Sequence, residues 1–101
     1  MKEKNDYGMY SGAFIFDAMD RAALDYIRKK SGLPKKTVLV TKWAHNVEFR
    51  RQVCNKDFEV HCGNLATTRD GFWCTAELGQ NGVLCASADF MFCIANNYCV
   101  A

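Results

Sequence analysis

The longest periodic segment of the chain, residues 13–30, constrains the fold most. Its apolar residues recur at steps of three and four, the spacing of one buried helical stripe: Phe14, Ile15, Ala18, Met19, Ala22, Ala23, Tyr26 and Ile27. Gly32 suits the position just past the last turn, and Pro34 prevents the helix from continuing. The sequence therefore predicts one helix of about five turns.

Four segments rich in Val, Thr, Phe or Trp follow the helix and predict four β-strands: residues 37–50, 58–67, 72–78 and 83–96. The pair Asn81 and Gly82 favours a tight hairpin before the last strand. One alternating set in that strand is predicted to face the core: Leu84, Ala86, Ala88, Phe90, Phe92 and Ile94. A helix followed by an antiparallel meander predicts an α+β fold of two layers, in a single domain over residues 1–101.

The overall charge and hydropathy exclude several classes of protein. The chain has 101 residues, and its 13 basic and 11 acidic residues are too balanced for a nucleic-acid-binding face. No apolar run approaches the ~18 residues that span a bilayer, and the first residues lack the hydrophobic segment of a signal peptide. We therefore expect a cytoplasmic protein that binds neither nucleic acid nor a membrane.

Six cysteines would suggest a disulfide framework in a short secreted protein: Cys54, Cys62, Cys74, Cys85, Cys93 and Cys99. The chain is 50% hydrophobic and carries no export signal, so free thiols are the favoured interpretation. His45 and His61 form no HExxH pattern and the cysteines form no CxxC pair, so no metal site is expected.

Asp20 differs from the other acids of the predicted helix, because it has no basic residue one turn away. Three of its turn neighbours are instead apolar: Phe16, Ala23 and Leu24. Most acids in helices are simply exposed to solvent, and taken alone Asp20 would be one of them. A carboxylate that borders an apolar stripe is partly desolvated, however, and this suits it to act as a general base for water.

The residues around Asp20 resemble a known family. Hotdog-fold acyl-CoA thioesterases carry the signature NxxGxxxGG followed by an acid on the central helix, and this chain has Asn5, Gly8, Gly12 and Ala13, with Asp20 eight residues after Gly12. Residues 47–57 resemble the family's F-x-R-P-V-x-x-G-D segment, and residues 68–71 and 81–92 resemble its closing strands. The resemblance covers residues 5–94 and implies a hotdog fold, a long helix packed on a curved antiparallel sheet.

The chain departs from the family pattern at four positions. Ala13 replaces the second glycine, Ser11 stands where Phe or His is frequent, Gln52 replaces the proline, and Lys56 replaces the glycine before Asp57. Family members also carry a strand before the NxxG segment. Only four residues precede Asn5, so we expect that first strand to be missing or supplied differently.

The resemblance implies hydrolysis of an acyl-CoA thioester, with Asp20, Asn5 and Gly12 as catalytic residues. Backbone N–H groups of Gly12 and Ala13 at the start of the helix are suited to stabilise the oxyanion. Ser11, Ala13 and Arg69 are the expected substrate-binding residues. Coenzyme A enters as part of the substrate, and neither a cofactor nor a metal is expected.

The spacing of Gly12 and Asp20 also predicts the assembly. Eight helical residues span ~12 Å, so the two residues of one chain cannot act on the same carbonyl group. The expected site is therefore shared between the subunits of a homodimer or a homotetramer. Two alternatives stay open: a hotdog module that binds an acyl or other apolar ligand without catalysis, which Ala13 favours, and a purely structural domain.

Overall fold

The computed structural model describes residues 9–54 and 57–95. One helix, α1 (Gly12–Ser31), precedes four strands, β1 (Leu39–Phe49), β2 (Phe58–Thr67), β3 (Phe72–Gln80) and β4 (Val83–Ile94). The predicted helix and the four predicted strands are all present, and the bounds of β2 are those predicted. The expectation about a first strand concerns residues before Met9, which lie outside the described residues.

Capping residues set both ends of α1. Ser11 is the N-cap, and its Oγ accepts the N–H of Phe14 at 3.2 Å. Gly32 ends the helix in the left-handed conformation with φ 69°, which a glycine adopts without steric cost. Every fourth residue of one face is buried: Ile15, Met19, Ala23 and Ile27. The helix therefore lays a narrow apolar stripe on the sheet, as its periodicity predicts.

The strands form one antiparallel sheet in the order β1-β4-β3-β2. The prediction of a simple meander is wrong for β1, which pairs with β4 and not with β2. Strand burial gives the physical reason. β4 is buried along most of its length and takes a central place, whereas the mostly exposed β1 lies at the edge.

Alternation along β4 correctly identifies the face that packs on the helix, because four of its predicted core residues are buried: Ala86, Ala88, Phe90 and Phe92. Leu84 and Ile94 are half-buried at the strand ends. Cys85, at the register shift between β3 and β4, joins the same core, and the opposite face is also buried in part, at Met91 and Cys93. Met91 lies in register between Trp43 of β1 and Trp73 of β3, and the placement of these large side chains accounts for the low exposure of Met91.

Residues 50–54, which follow β1, bond both to β4 and to the residue just before the helix cap. The N–H groups of Arg50 and Arg51 donate to the carbonyl oxygen of Cys85 at 2.7 and 3.1 Å. The carbonyl oxygen of Val53, which is buried, accepts the N–H of Tyr10 at 2.8 Å. These bonds fix the first turn of α1 relative to the end of β1.

Two further expectations are confirmed. Asn81 and Gly82 have φ of 53° and 76°, as the tight hairpin between β3 and β4 requires. The thiols of Cys54, Cys62, Cys74, Cys85 and Cys93 are free, and Cys99 lies outside the described residues. Over residues 9–54 and 57–95, no helix is both long enough and apolar enough to cross a membrane.

Candidate functional site

Asp20 lies on the side of α1 that faces β1. The hydroxyl of Thr41 on β1 donates a hydrogen bond of 2.7 Å to Oδ1 of Asp20. Asp20 is half-buried and Thr41 is exposed, so the pair lies at the boundary between core and solvent. Within the described part of the chain, Oδ2 of Asp20 makes no hydrogen bond. One carboxylate oxygen is thus held in place while the other is available to a water molecule.

Thr41 is a residue that sequence reasoning missed, because it lies 21 residues beyond Asp20 on an edge strand. Its orientation follows from the sheet register, in which Thr41 is opposite Phe92, a residue of the helix-facing side of β4. Alternation along β4 was predicted, so knowledge of the β1–β4 pairing would have placed the Thr41 hydroxyl toward the helix.

Gly12 and Ala13 are the first two helical residues of α1, and both are exposed. Ser11 uses its Oγ to accept the N–H of Phe14, so it acts as the helix cap; substrate binding by Ser11 stays a prediction. The amides of Gly12 and Ala13 have no intrahelical acceptor, as is general for the first turn. They point out of the helix at its positive end, where a developing negative charge is stabilised.

The ring of Phe49 lies beside Gly12. A Cβ atom added to Gly12 would lie 3.6 Å from Cζ of Phe49 and 3.7 and 3.8 Å from the two Cε atoms. The tip of the Phe49 ring therefore points at the start of the helix. More than half of the Phe49 side chain, 53%, is exposed.

The other predicted site residues, Asn5 and Arg69, are not shown to lie near the start of α1 in the same chain. Asn5 lies outside the described residues. Arg69 lies in the turn after Thr67, at the end of β2, whereas the helix start contacts the beginning of that strand through Phe14 and Phe58, with ring centroids 6.4 Å apart. A strand of this length spans roughly 30 Å, so Arg69 and Gly12 of one chain lie at opposite ends of the sheet. Substrate binding by Arg69 stays a prediction.

The two histidines lie on the face of the sheet away from α1. His45 stacks on Trp43 with ring centroids 4.1 Å apart, and Nε2 of His61 lies 3.1 Å from Oε2 of Glu59. Over the described ranges, no group of three or more His, Cys, Asp and Glu side chains is placed to hold a metal ion.

Two cysteines of the helix-facing layer, Cys62 and Cys74, are poor nucleophiles. Burial raises the pKa of the Cys62 thiol. Burial, with smaller contributions from Cys62 and Asp89, raises the pKa of Cys74 to about 12. Since the thiolate is the reactive species, Cys74 is inert at neutral pH. In this layer, the groups best suited to take part in a reaction are therefore the half-buried Asp20 carboxylate and the N–H groups at the helix start.

Comparison with known proteins gives no match to a protein-family model and no match among curated proteins. Solved structures do match. A candidate thioesterase of Ralstonia eutropha JMP134, a phenylacetic acid degradation-related protein, has a TM-score of 0.76 at 19% identity, over 91% of this chain and 67% of its own. HI0827, a hexameric broad-specificity acyl-coenzyme A thioesterase solved as an aspartate-to-alanine mutant, has a TM-score of 0.75 at 16% identity, over 94% of this chain and 73% of its own.

A hypothetical thioesterase of Streptococcus pneumoniae TIGR4 matches in two mutant forms. Its aspartate-to-alanine form has a TM-score of 0.72 at 16% identity, and its threonine-to-alanine form has 0.74 at 15%. Each match covers 91% of this chain, and 73% and 72% of those chains respectively. These likenesses establish that the chain has the hotdog fold found in these thioesterases.

Proposed function

We propose that the chain hydrolyses acyl-CoA thioesters at a site shared between two subunits of a homodimer. The observation that carries the proposal is the Asp20 carboxylate, held at Oδ1 by Thr41 and open at Oδ2. A carboxylate fixed in this way is suited to take a proton from water. Gly12 and Ala13 are exposed residues at the helix start, and their amides are suited to the second requirement of thioester hydrolysis, a place for the oxyanion.

The reaction follows from these groups. Oδ2 of Asp20 accepts a proton from water as the water oxygen bonds to the thioester carbon. The carbonyl oxygen becomes an oxyanion and accepts hydrogen bonds from the amides of Gly12 and Ala13 of the partner subunit. When the oxyanion collapses, the carbon–sulfur bond breaks, and the departing thiolate takes the proton from Asp20. The products are a carboxylic acid and the thiol of coenzyme A. Asn5 is proposed to hold the water or the carbonyl oxygen through its amide.

The partner subunit is needed because of the helix geometry. Gly12 and Asp20 are eight residues apart on α1, a separation of ~12 Å along the axis. Two helices related by a twofold axis bring the Asp20 side chain of one subunit to the helix start of the other. A homodimer, alone or within a larger homo-oligomer, is therefore part of the proposal. HI0827 is described as hexameric, and this supports an oligomeric state for a chain with the same fold.

Two structural neighbours were solved with substitutions of the same residue types as Asp20 and Thr41. An aspartate was replaced in HI0827, and an aspartate and a threonine were replaced separately in the Streptococcus pneumoniae protein. These are the residue types of the hydrogen-bonded pair in this chain. The replaced aspartate and threonine of the Streptococcus pneumoniae protein are 16 residues apart, against 21 for Asp20 and Thr41, so the likeness is one of residue type alone.

The test is a panel of acyl-CoA substrates with detection of the released thiol, read against an enzyme blank because the chain has six cysteines of its own. Asp20→Asn keeps the shape of the side chain and an acceptor for Thr41 but removes the base. It is expected to lower kcat about 10²-fold to 10⁴-fold. Wild-type activity in this variant would remove Asp20 from the mechanism. Saturable acyl-CoA binding without turnover by the wild type would instead favour the non-catalytic module.

Gly12→Pro tests the oxyanion donor. Proline lacks the N–H group and is well tolerated at the first position of a helix. Ser11, the preceding residue, already has φ −68° and ψ 156°, which a following proline requires. The variant is expected to lose about 10²-fold to 10³-fold in kcat. Gly12→Ala is the matched control, since it keeps the N–H and its Cβ makes only ordinary contact with Phe49.

A further inference from the structure

Phe49 is a large apolar side chain that stays 53% exposed at the edge of the sheet. It is the last residue of β1, opposite Ala86 of β4. Its position is set by the backbone on both sides: β1 pairs with β4 before it, and the N–H groups of Arg50 and Arg51 bond to Cys85 after it. An exposed apolar residue is thus anchored through its backbone at one place on the surface.

That place is the start of α1. The tip of the ring comes within 3.6 Å of the position that a Cβ of Gly12 would occupy. A carbonyl oxygen bound by the amides of Gly12 and Ala13 has its carbon, and the atoms attached to that carbon, within a few ångströms of the same ring. The ring is therefore a wall on one side of the acyl carbon that adjoins the carbonyl group.

We infer that Phe49 determines the acyl specificity of the proposed site by excluding substrates that are branched at the carbon next to the carbonyl. The inference rests on the proposed function, because it takes the helix start as the place where the thioester carbonyl binds. In a straight acyl chain, the carbon next to the carbonyl carries only one further carbon substituent, which extends past the tip of the ring. A methyl branch at the same carbon adds a second substituent on the side of the ring, whose backbone is held by the bonds of Arg50 and Arg51 to Cys85.

The experiment compares two isomeric substrates. The first is the straight-chain acyl-CoA that the wild type hydrolyses fastest, and the second is its isomer with a methyl branch next to the carbonyl. Steric rejection of one methyl group is worth about tenfold or more in kcat/KM. The wild type is expected to prefer the straight isomer by that factor. In Phe49→Ala, which removes the wall, we expect the preference to fall at least about fivefold, whereas Phe49→Tyr, which keeps the ring, retains it.

A ratio of two substrates is unaffected by the fraction of protein that is folded or dimeric, so a loss of assembly in Phe49→Ala does not imitate the effect. Equal hydrolysis of the two isomers by the wild type, or an unchanged preference in Phe49→Ala, would overturn the role of Phe49 and leave the proposed function standing. Absence of hydrolysis of every substrate by the wild type would overturn the proposed function, and this role with it.

Discussion

The hydroxyl of Thr41 donates to Oδ1 of Asp20 over 2.7 Å and joins the middle of α1 to the edge strand β1. This bond has a structural and a chemical consequence. It ties an otherwise exposed strand to the helix, and it fixes the orientation of the carboxylate that is proposed to activate water.

Thr41→Val separates these consequences from simple packing, because valine has the same shape without the hydroxyl. We expect the free energy of unfolding in urea to fall by about 0.5–1.5 kcal/mol, the typical net value of one hydrogen bond. We expect kcat to fall as well, since the carboxylate loses its fixed orientation. Thr41→Ser keeps the hydroxyl and serves as the control. If valine and serine have the same effect on kcat, the hydrogen bond has no role in the reaction.

Phe90 lies at the centre of the core, fully buried, with its ring centroid 5.5 Å from that of Phe16 on the helix. Removal of such a ring leaves a cavity between helix and sheet. Phe90→Ala is expected to cost about 3–5 kcal/mol of unfolding free energy. Val38→Ala is the control, since Val38 is 58% exposed and its truncation is expected to cost under about 0.5 kcal/mol. Similar urea midpoints for the two variants would contradict the described core.

Gly71 and Gly63 give a matched pair of glycine substitutions. A Cβ at Gly71 would lie 2.0 Å from the backbone oxygen of Phe92, whereas a Cβ at Gly63 would meet nothing within 4 Å. Gly71→Ala must displace backbone and is expected to lose about 1–3 kcal/mol, as for other overpacked sites. Gly63→Ala is expected to stay within about 0.5 kcal/mol of the wild type. Thermal unfolding of the two variants side by side tests the close approach of the β2–β3 turn to β4.

Cys74 makes stability dependent on pH in the alkaline range. Its pKa in the folded chain is raised from its ordinary value of 9.0 to about 12, chiefly by burial. Between these values the unfolded chain releases a proton that the folded chain retains, so unfolding becomes easier as the pH rises from 9 toward 12. The contribution of Cys74 to the free energy of unfolding is fully present below pH 9. Urea unfolding at pH 7.5 and pH 10 should show a larger loss for the wild type than for Cys74→Ala. An equal loss in both would contradict a retained proton at Cys74.

Periodicity in the sequence was sufficient to predict the helix, the four strands and the core face of β4. Asp20 could be singled out because its turn neighbours on a well-marked helix are known from spacing alone. Thr41 and Phe49 could not, because their placement depends on which strand β1 pairs with. The register of β1 is also shifted between Thr41 and Trp43 and between His45 and Glu48, so simple alternation fails there.

The shared site is tested most directly by mixing two inactive subunits. Asp20→Asn lacks the base, and Gly12→Pro lacks an oxyanion donor. A hybrid dimer of the two has one site with both residues intact and one with neither, if each site takes Asp20 from one subunit and Gly12 from the other. Random mixing makes half of the dimers hybrid, so the account predicts recovery of about a quarter of the wild-type activity. Hybrid dimers confirmed by mass spectrometry but showing no recovery would contradict it.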